Sequence, residues 1–277
     1  MKVSLIGYGA WALAKKGWGD VDEKEAIKTV EHAVENGVNF FDTAPVYGFG
    51  TSEQLLGKVL RPVRKKVFIA TKCGLSWNER GHVFHDLSRD TVMREIEMSL
   101  KRLKTEYIDL YQIHWPDKRT PLFETLKTLT ELKKSGVIRH IGVSNFSRAL
   151  LQKADRLAEI TALQSLYNLL QREAETELLP YCRKNSIGFI CYSPLAQGLL
   201  AGRIRPDFKP GKHDVRRLNP LFKNRAVFRR SMAFAKSLPA PPASAALKYL
   251  SEKKGVATIL VGMTRVTHLL ENIRITE

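Results

Sequence analysis

Residues 23–42 read EKEAIKTVEHAVENGVNFFD, and this stretch sets the rhythm of the whole chain. Ala26, Ile27, Val30, Ala33 and Val34 recur at helical spacing with charged residues between them. Gly37 follows as a stop, because glycine takes up the left-handed backbone that ends helices. Val38-Asn39-Phe40-Phe41-Asp42 is then a short apolar run ending in a carboxylate, which reads as a buried strand.

The same alternation extends both ways. Residues 3–7 read as a strand followed by a Gly-rich loop. Downstream, strands are predicted at 67–72, 107–114, 137–144, 160–164, 187–192 and 257–261. Helices are predicted at 52–60, 88–103 (Ser88 as N-cap), 122–134, 148–155, 173–184, 243–252 and from 266 to 273. Strand alternating with helix argues for a parallel sheet under covering helices. Eight such units in about 250 residues fit an α/β chain folded as a single (β/α)8 TIM barrel. The domain is expected to span residues 1–277. An open doubly wound sheet is the rival, but Gly7-Tyr8-Gly9-Ala10-Trp11 matches G-x-G-x-x-G poorly. A basic segment at 203–230 breaks the rhythm and reads, with the Pro-rich 239–242, as a long loop.

The 277 residues include 45 Lys+Arg and 28 Asp+Glu, a formal charge of +17. With 44% hydrophobic and 26% charged residues, wholesale disorder and fibrous classes are excluded. No apolar run approaches the roughly 20 residues that span a bilayer. The apolar part of residues 1–7 is too short for a signal peptide. Cys73, Cys182 and Cys191 show no metal-ligand spacing, so no metal is expected, and their setting reads as reduced and cytoplasmic. Cys73 and Cys191 are expected to be buried and inert. The charge attracts anions, whether nucleic acid, a membrane surface or a phosphorylated small molecule, and composition does not choose among them. The sequence holds no recognition-helix motif and no aromatic-basic run, so neither specific nucleic acid nor membrane is expected as a partner.

Chemistry on such a barrel sits at the C-terminal ends of the strands. Asp42, Lys72 and His114 end three successive strands, and Tyr47 follows in the first of their loops. The set has no Ser or Cys nucleophile and ligates a metal poorly. It suits proton donation to an oxygen. A phenol has a pKa near 10, and a neighbouring Lys72 ammonium is expected to lower it. Asp42 would orient Lys72, and His114 would hydrogen-bond a polarised carbonyl oxygen. A hydride, where one is needed, must come from a cofactor. Taken singly, Asp42 with Lys72 also reads as an ion pair and His114 as a strand-end histidine; together with Tyr47 they favour a site.

Phe41-Asp42-Thr43-Ala44-Pro45-Val46-Tyr47-Gly48, followed by Ser52-Glu53, resembles the signature of the aldo-keto reductase superfamily. So do Ala70-Thr71-Lys72, Ile108-Asp109-Leu110-Tyr111-Gln112-Ile113-His114-Trp115, residues 136–146, and Tyr192-Ser193-Pro194-Leu195 with Gly198-Leu199-Leu200. The resemblance covers nearly the whole chain in order. It implies a barrel that binds NADPH (NADP+ in the oxidised form) without a Rossmann motif. Tyr47 is then the general acid, with Asp42, Lys72 and His114 completing a tetrad. Ser144, Asn145 and Gln164 would hold the nicotinamide carboxamide, and Tyr192 would stack on its ring. Ser193, Leu195 and Gly198 would meet the pyrophosphate. The adenosine end would lie near Gly262, Thr264, Arg265, His268, Glu271 and Asn272, with Arg265 on the 2′-phosphate.

The same resemblance leads one to expect a β-hairpin before the first strand and a tail after residue 272; this chain is read as a barrel lacking both. Trp11, Trp77 and Trp115 are expected at an apolar substrate pocket, with the segments 76–86 and 203–230. The implied function is NADPH-dependent reduction of an aldehyde or ketone. The alternative is an NADPH-binding redox-sensing subunit similar to the potassium-channel β subunits. Neither the substrate nor the oligomeric state is legible.

Overall fold

A computed structural model of the chain describes residues 2–14 and 21–276. Its strands are β1 (Ile6–Gly9), β2 (Phe40–Asp42), β3 (Phe68–Cys73), β4 (Leu75–Trp77), β5 (Val83–His85), β6 (Ile108–Ile113), β7 (Ile138–Ser144), β8 (Ile160–Leu166), β9 (Gly188–Tyr192) and β10 (Val256–Val261). Eight of them close a barrel in the order β1-β2-β3-β6-β7-β8-β9-β10 and back to β1, every pair parallel. β4 and β5 form a separate antiparallel hairpin in the loop after β3.

Alternation along the strands sorts the side chains into an outer face under the helices and an inner face. Phe41, Ile69, Tyr111, Ile141, Leu163 and Phe189 face the helices as part of the main core. Phe40, Ala70, Leu110, Ala162, Ile190 and Leu260 pack as one apolar layer inside the barrel. Two residues further along five of these strands come Asp42, Lys72, Gln112, Gln164 and Tyr192. The period of two therefore stacks a polar layer directly above an apolar floor. Gly7 and Gly142 make room within it: an added Cβ would stand 2.8 Å from Thr258 Oγ1 at the first and 2.9 Å from Gln112 Cγ at the second.

The helix Glu23–Glu35 begins at Asp22, whose carboxylate accepts from Lys24 N at 2.8 Å, and Gly37 follows it at φ +80°. Its apolar stripe buries Ala26, Val30 and Ala33 against the sheet. Helices Thr51–Leu60, Arg89–Leu103, Leu122–Lys134, Arg148–Leu157, Leu178–Lys184, Pro242–Ser251 and Val266–Ile273 continue the outer ring. No helix among the described residues is long and apolar enough to cross a membrane. Cys73, Cys182 and Cys191 are buried free thiols, and burial pushes Cys182 up to about 12.

Four expectations change. β1 starts at Ile6, and before it Lys2 and Ser4 are tied to the Asn39 side chain instead of a ladder: Ser4 N donates to Asn39 Oδ1 at 2.7 Å and Asn39 Nδ2 to the Lys2 carbonyl at 2.8 Å. Residues 2–5 lead straight into β1, with Val3 packed beneath the inner layer. Ser88 stands at the N-cap but does not cap with its side chain; the Asp86 carboxylate accepts from Ser88 N and Thr91 Oγ1. The single helix expected over 173–184 is broken into a turn, Glu173–Glu175, and the helix Leu178–Lys184. The Glu175 carboxylate draws in Tyr167 at 2.5 Å, Tyr249 at 2.6 Å and Arg172 at 2.7 Å, which holds that turn apart.

The basic segment is not a plain loop. Asn219 and Asn224 cap Pro220–Lys223 and Arg225–Ser237 in succession. Phe228, Met232 and Ala235 then bury against Leu199, Leu200 and Leu221 in a small core of their own. The rest of the Gly-rich connection after β1 is a 3-10 turn at Ala10–Ala14; residues 15–20 lie outside the described residues.

Candidate active site

Lys72 sits near the top of β3, fully buried, with its three N–H bonds each engaged. Nζ donates to Asp42 Oδ1 at 2.6 Å, to the Thr43 carbonyl at 2.8 Å and to Tyr47 Oη at 3.4 Å. Because Tyr47 Oη accepts from Lys72, its own proton is left to point elsewhere, and Tyr47 lines an open cleft. His114 lines the same cleft just beyond β6, its ring edge-on to Tyr47 at 5.7 Å. The loop that carries Tyr47 is anchored by Thr43 Oγ1 and Ser52 Oγ at 2.9 Å, with Ser52 Oγ donating to the Ala10 carbonyl.

The electrostatics reverse one expectation. Burial, and after it the charge of Asp42, hold the Tyr47 phenol well above its ordinary 10. The Lys72 ammonium does not outweigh this, because its charge is matched by Asp42 at 2.6 Å and the phenol has lost its water. Tyr47 is therefore fully protonated at neutral pH. Burial pulls the Lys72 ammonium down, with Asp42 opposing. Burial, then Lys72, then His85 hold His114 well below 6.5, so its imidazole is neutral and offers one N–H.

The cleft has a volume of about 1590 Å³ and extends from Tyr47 and His114 across the ends of β7–β10 to the last helix. Ser144, Asn145, Gln164 and Tyr192 stand beside the four residues above, along one wall. Asn145, at φ +61°, donates to the His114 carbonyl and to Ser144 Oγ, both at 3.0 Å, and accepts from Tyr192 Oη at 2.8 Å. The loop after β9 has Ser193, Ala196, Gln197 and Gly198 at positive φ. Such a run of left-handed residues holds backbone strain at the cleft edge, where function commonly places it.

A profile of the Aldo/keto reductase family matches residues 5–277. The chain belongs to the aldo/keto reductase family. It is 40% identical to the NADH-specific methylglyoxal reductase of Escherichia coli (strain K12), over 76% of this chain and 69% of that one. Among solved structures, the glycerol dehydrogenase AKR11B4 from Gluconobacter oxydans superposes with a TM-score of 0.88 at 32% identity, covering 99% of this chain and 87% of that one. An aldo/keto reductase from Klebsiella pneumoniae in complex with NADP and acetate superposes with a TM-score of 0.75 at 27% identity, over 99% and 86%.

In this aldo/keto reductase the far half of the cleft holds the remaining predicted residues. Ser193, Leu195 and Gly198 line it from the β9 loop; Gly262, Thr264, Arg265, His268, Glu271 and Asn272 line it from the end of β10 and the last helix. At the N-terminus of the helix Val266–Ile273 the Arg265 side chain makes no cap, and Val266 N donates to Glu25 Oε1 at 3.4 Å. Arg265, just before it, is exposed and makes no ion pair among the described residues. Three other arginines of the cleft wall are matched by carboxylates: Arg203 by Glu271, Arg205 by Asp207 and Arg216 by Asp214.

Trp11 and Trp115 line the cleft, with Trp11 stacked over Tyr47 at 5.8 Å and 24°. Trp77 does not. It packs on Phe49 at 5.1 Å, and the hairpin offers Leu75 and Val83 to the cleft instead. The hairpin's base is held by Glu95, which accepts from Gly74 N and Ser76 Oγ, both at 2.7 Å. Sequence reasoning missed Gln112, whose amide reaches Asp42, and Asp22 and Glu25, which line the cleft beside the last helix. Gln112 was detectable as the polar residue two positions before His114, on the same strand face.

Proposed function

We propose that this chain reduces aldehydes or ketones to alcohols with NADPH, acting as one barrel domain over residues 1–277. The observation that carries the reading is the placement of Tyr47 at the cleft with its oxygen on Lys72 Nζ. Its oxygen accepts from a buried ammonium and its proton is free toward the cleft. A reduced nicotinamide, when bound, supplies the hydride that no side chain can supply.

The residues of the cleft fit a dinucleotide. Asn145, Gln164 and Ser144 offer a paired donor and acceptor edge of the kind a carboxamide needs, and Tyr192 offers a ring. Gly198 and its left-handed neighbours bring backbone close, and the exposed Arg265 guanidinium beside the last helix suits a phosphate. With a carbonyl at the Tyr47 end, neutral His114 donates its N–H to the carbonyl oxygen and orients it. Negative charge grows on that oxygen as the carbonyl carbon is reduced, and Tyr47 delivers its proton there. Lys72 then stabilises the phenolate left behind, held in place by Asp42 and the Thr43 carbonyl. Trp11, Trp115, Leu75 and Val83 exclude water from the reacting oxygen.

The choice of NADPH rests on Arg265, whose guanidinium has no carboxylate partner among the described residues to compete with a 2′-phosphate. Arg265→Ala is expected to weaken NADPH binding by about tenfold or more and to leave NADH binding nearly unchanged. Titration of tryptophan fluorescence with each cofactor measures both; equal weakening of the two would remove Arg265 from the phosphate. An aldehyde panel, followed by loss of reduced-nicotinamide absorbance, tests the reaction. Tight NADPH binding with no turnover across the panel would favour a sensor over an enzyme.

A further inference from the structure

The polar layer of the barrel converges on Asp42, and two of its members, Lys72 and Gln112, do not line the cleft. Asp42 Oδ1 accepts from Lys72 at 2.6 Å. Asp42 Oδ2 accepts from Gln164 Nε2 at 2.7 Å and from Gln112 Nε2 at 3.2 Å. Gln164 Nε2 also lies 3.5 Å from Gln112 Oε1, so two amides and a carboxylate close a ring. Gln164 lines the cleft, whereas Gln112 is fully buried beneath it.

A buried amide is costly unless it is hydrogen-bonded, and a leucine would fill the same space in a barrel interior without that cost. Gln112 has room only because residue 142 is glycine, since an added Cβ there would come within 2.9 Å of Gln112 Cγ. What Gln112 gains in return is Asp42. Lys72 reaches Tyr47 through the longest of its three bonds, 3.4 Å, so a small swing of the Asp42 carboxylate moves Lys72 away from the phenol first.

We infer that Gln112 is a positioning residue, which holds the Asp42 carboxylate on Lys72 independently of Gln164. Gln164 can then present its amide oxygen to the nicotinamide side of the cleft while Asp42, Lys72 and Tyr47 stay aligned. This role rests on the carbonyl-reductase reading proposed above.

Two variants test it. Gln112→Leu is expected to lower kcat about tenfold while NADPH affinity by fluorescence and the melting temperature stay near wild type. Gln112→Glu keeps the shape and carries its own readout. Its carboxyl, when protonated, donates to Asp42; as pH rises the proton is lost and two carboxylates face each other. Its folded pKa is raised above the unfolded value, so stability is lost as pH rises between the two. Relative to wild type, both kcat and the melting temperature of Gln112→Glu are therefore expected to fall with rising pH. The pH dependence of melting is expected to shrink when Asp42→Asn is added. Wild-type kcat in Gln112→Leu, or a melting curve of Gln112→Glu whose pH dependence is the same with and without Asp42→Asn, would overturn the inference. A wild-type chain that binds NADPH but reduces no aldehyde would instead defeat the reaction reading, and the melting cycle would still report whether Gln112 acts on Asp42.

Discussion

Tyr47→Phe is expected to lower kcat by about 10²–10⁴-fold, the range that a positioned general acid contributes. The ring that stacks on Trp11 is retained, and so is its edge contact with His114. Only the oxygen that accepts from Lys72 and gives a proton to the substrate is removed. NADPH affinity is expected to be nearly unchanged, because Tyr47 belongs to the loop after β2 while Arg265 and His268 belong to the start of the last helix. The split between kcat and cofactor binding is the informative quantity. A variant that lost both would place Tyr47 in cofactor binding, and one that lost neither would take it out of the chemistry.

Removing the charge of Lys72 is expected to be as damaging to the fold as to the reaction. Lys72 and Asp42 are buried at 0% and 4% side-chain exposure, so Lys72→Met leaves a carboxylate without its counter-charge inside the barrel. Breaking such a pair typically costs about 3–5 kcal/mol, mostly the penalty of the charge left behind. Gln112 and Gln164 still donate to Asp42, so the variant is expected toward the lower end of that range. Asp42→Asn added to Lys72→Met neutralises the remaining charge and is expected to restore most of the stability without restoring turnover. Urea unfolding of the two single variants and the double variant measures this. If the double variant were no more stable than Lys72→Met alone, the loss would belong to packing and not to an unpaired charge.

The legibility of this chain in its sequence follows the physics of each element. The eight barrel strands were visible because each is a short apolar run closed by a turn signal, and their C-terminal ends named Asp42, Lys72 and His114 directly. Gln164 and Tyr192 came from the family resemblance and not from periodicity, since a glutamine inside Ile160–Leu166 carries no signal of its own. Gln112 was passed over because Ile108–Ile113 is buried along its whole length, which makes one glutamine look incidental. The arginines of 203–230 hid the stripe of Phe228, Met232 and Ala235 that makes the second half of that segment helical. Trp77 was misplaced because a tryptophan's composition signal is the same whether it faces a cleft or packs on Phe49. The proton affinity of Tyr47 was misjudged for a related reason: Lys72 is adjacent in sequence logic, but burial and Asp42 are properties of the folded site.

The +17 charge is partly absorbed by the same geometry. Arg203, Arg205 and Arg216 line the cleft but are matched by Glu271, Asp207 and Asp214, which leaves Arg265 as the cation placed for an anionic ligand. Exposed cations on the helix Arg225–Ser237, including Arg229 and Arg230, face solvent away from any described carboxylate.

The central claim is that this barrel passes a hydride from a nicotinamide to a carbonyl carbon while Tyr47 protonates the oxygen. The most direct measurement uses NADPH carrying deuterium at the transferable position of the nicotinamide, incubated with the chain and an aryl aldehyde. The account predicts an alcohol with one deuterium on the carbinol carbon from the wild-type chain and almost none from Tyr47→Phe. Bound cofactor that keeps its deuterium beside unreduced aldehyde, or equal labelling by both chains, would contradict it.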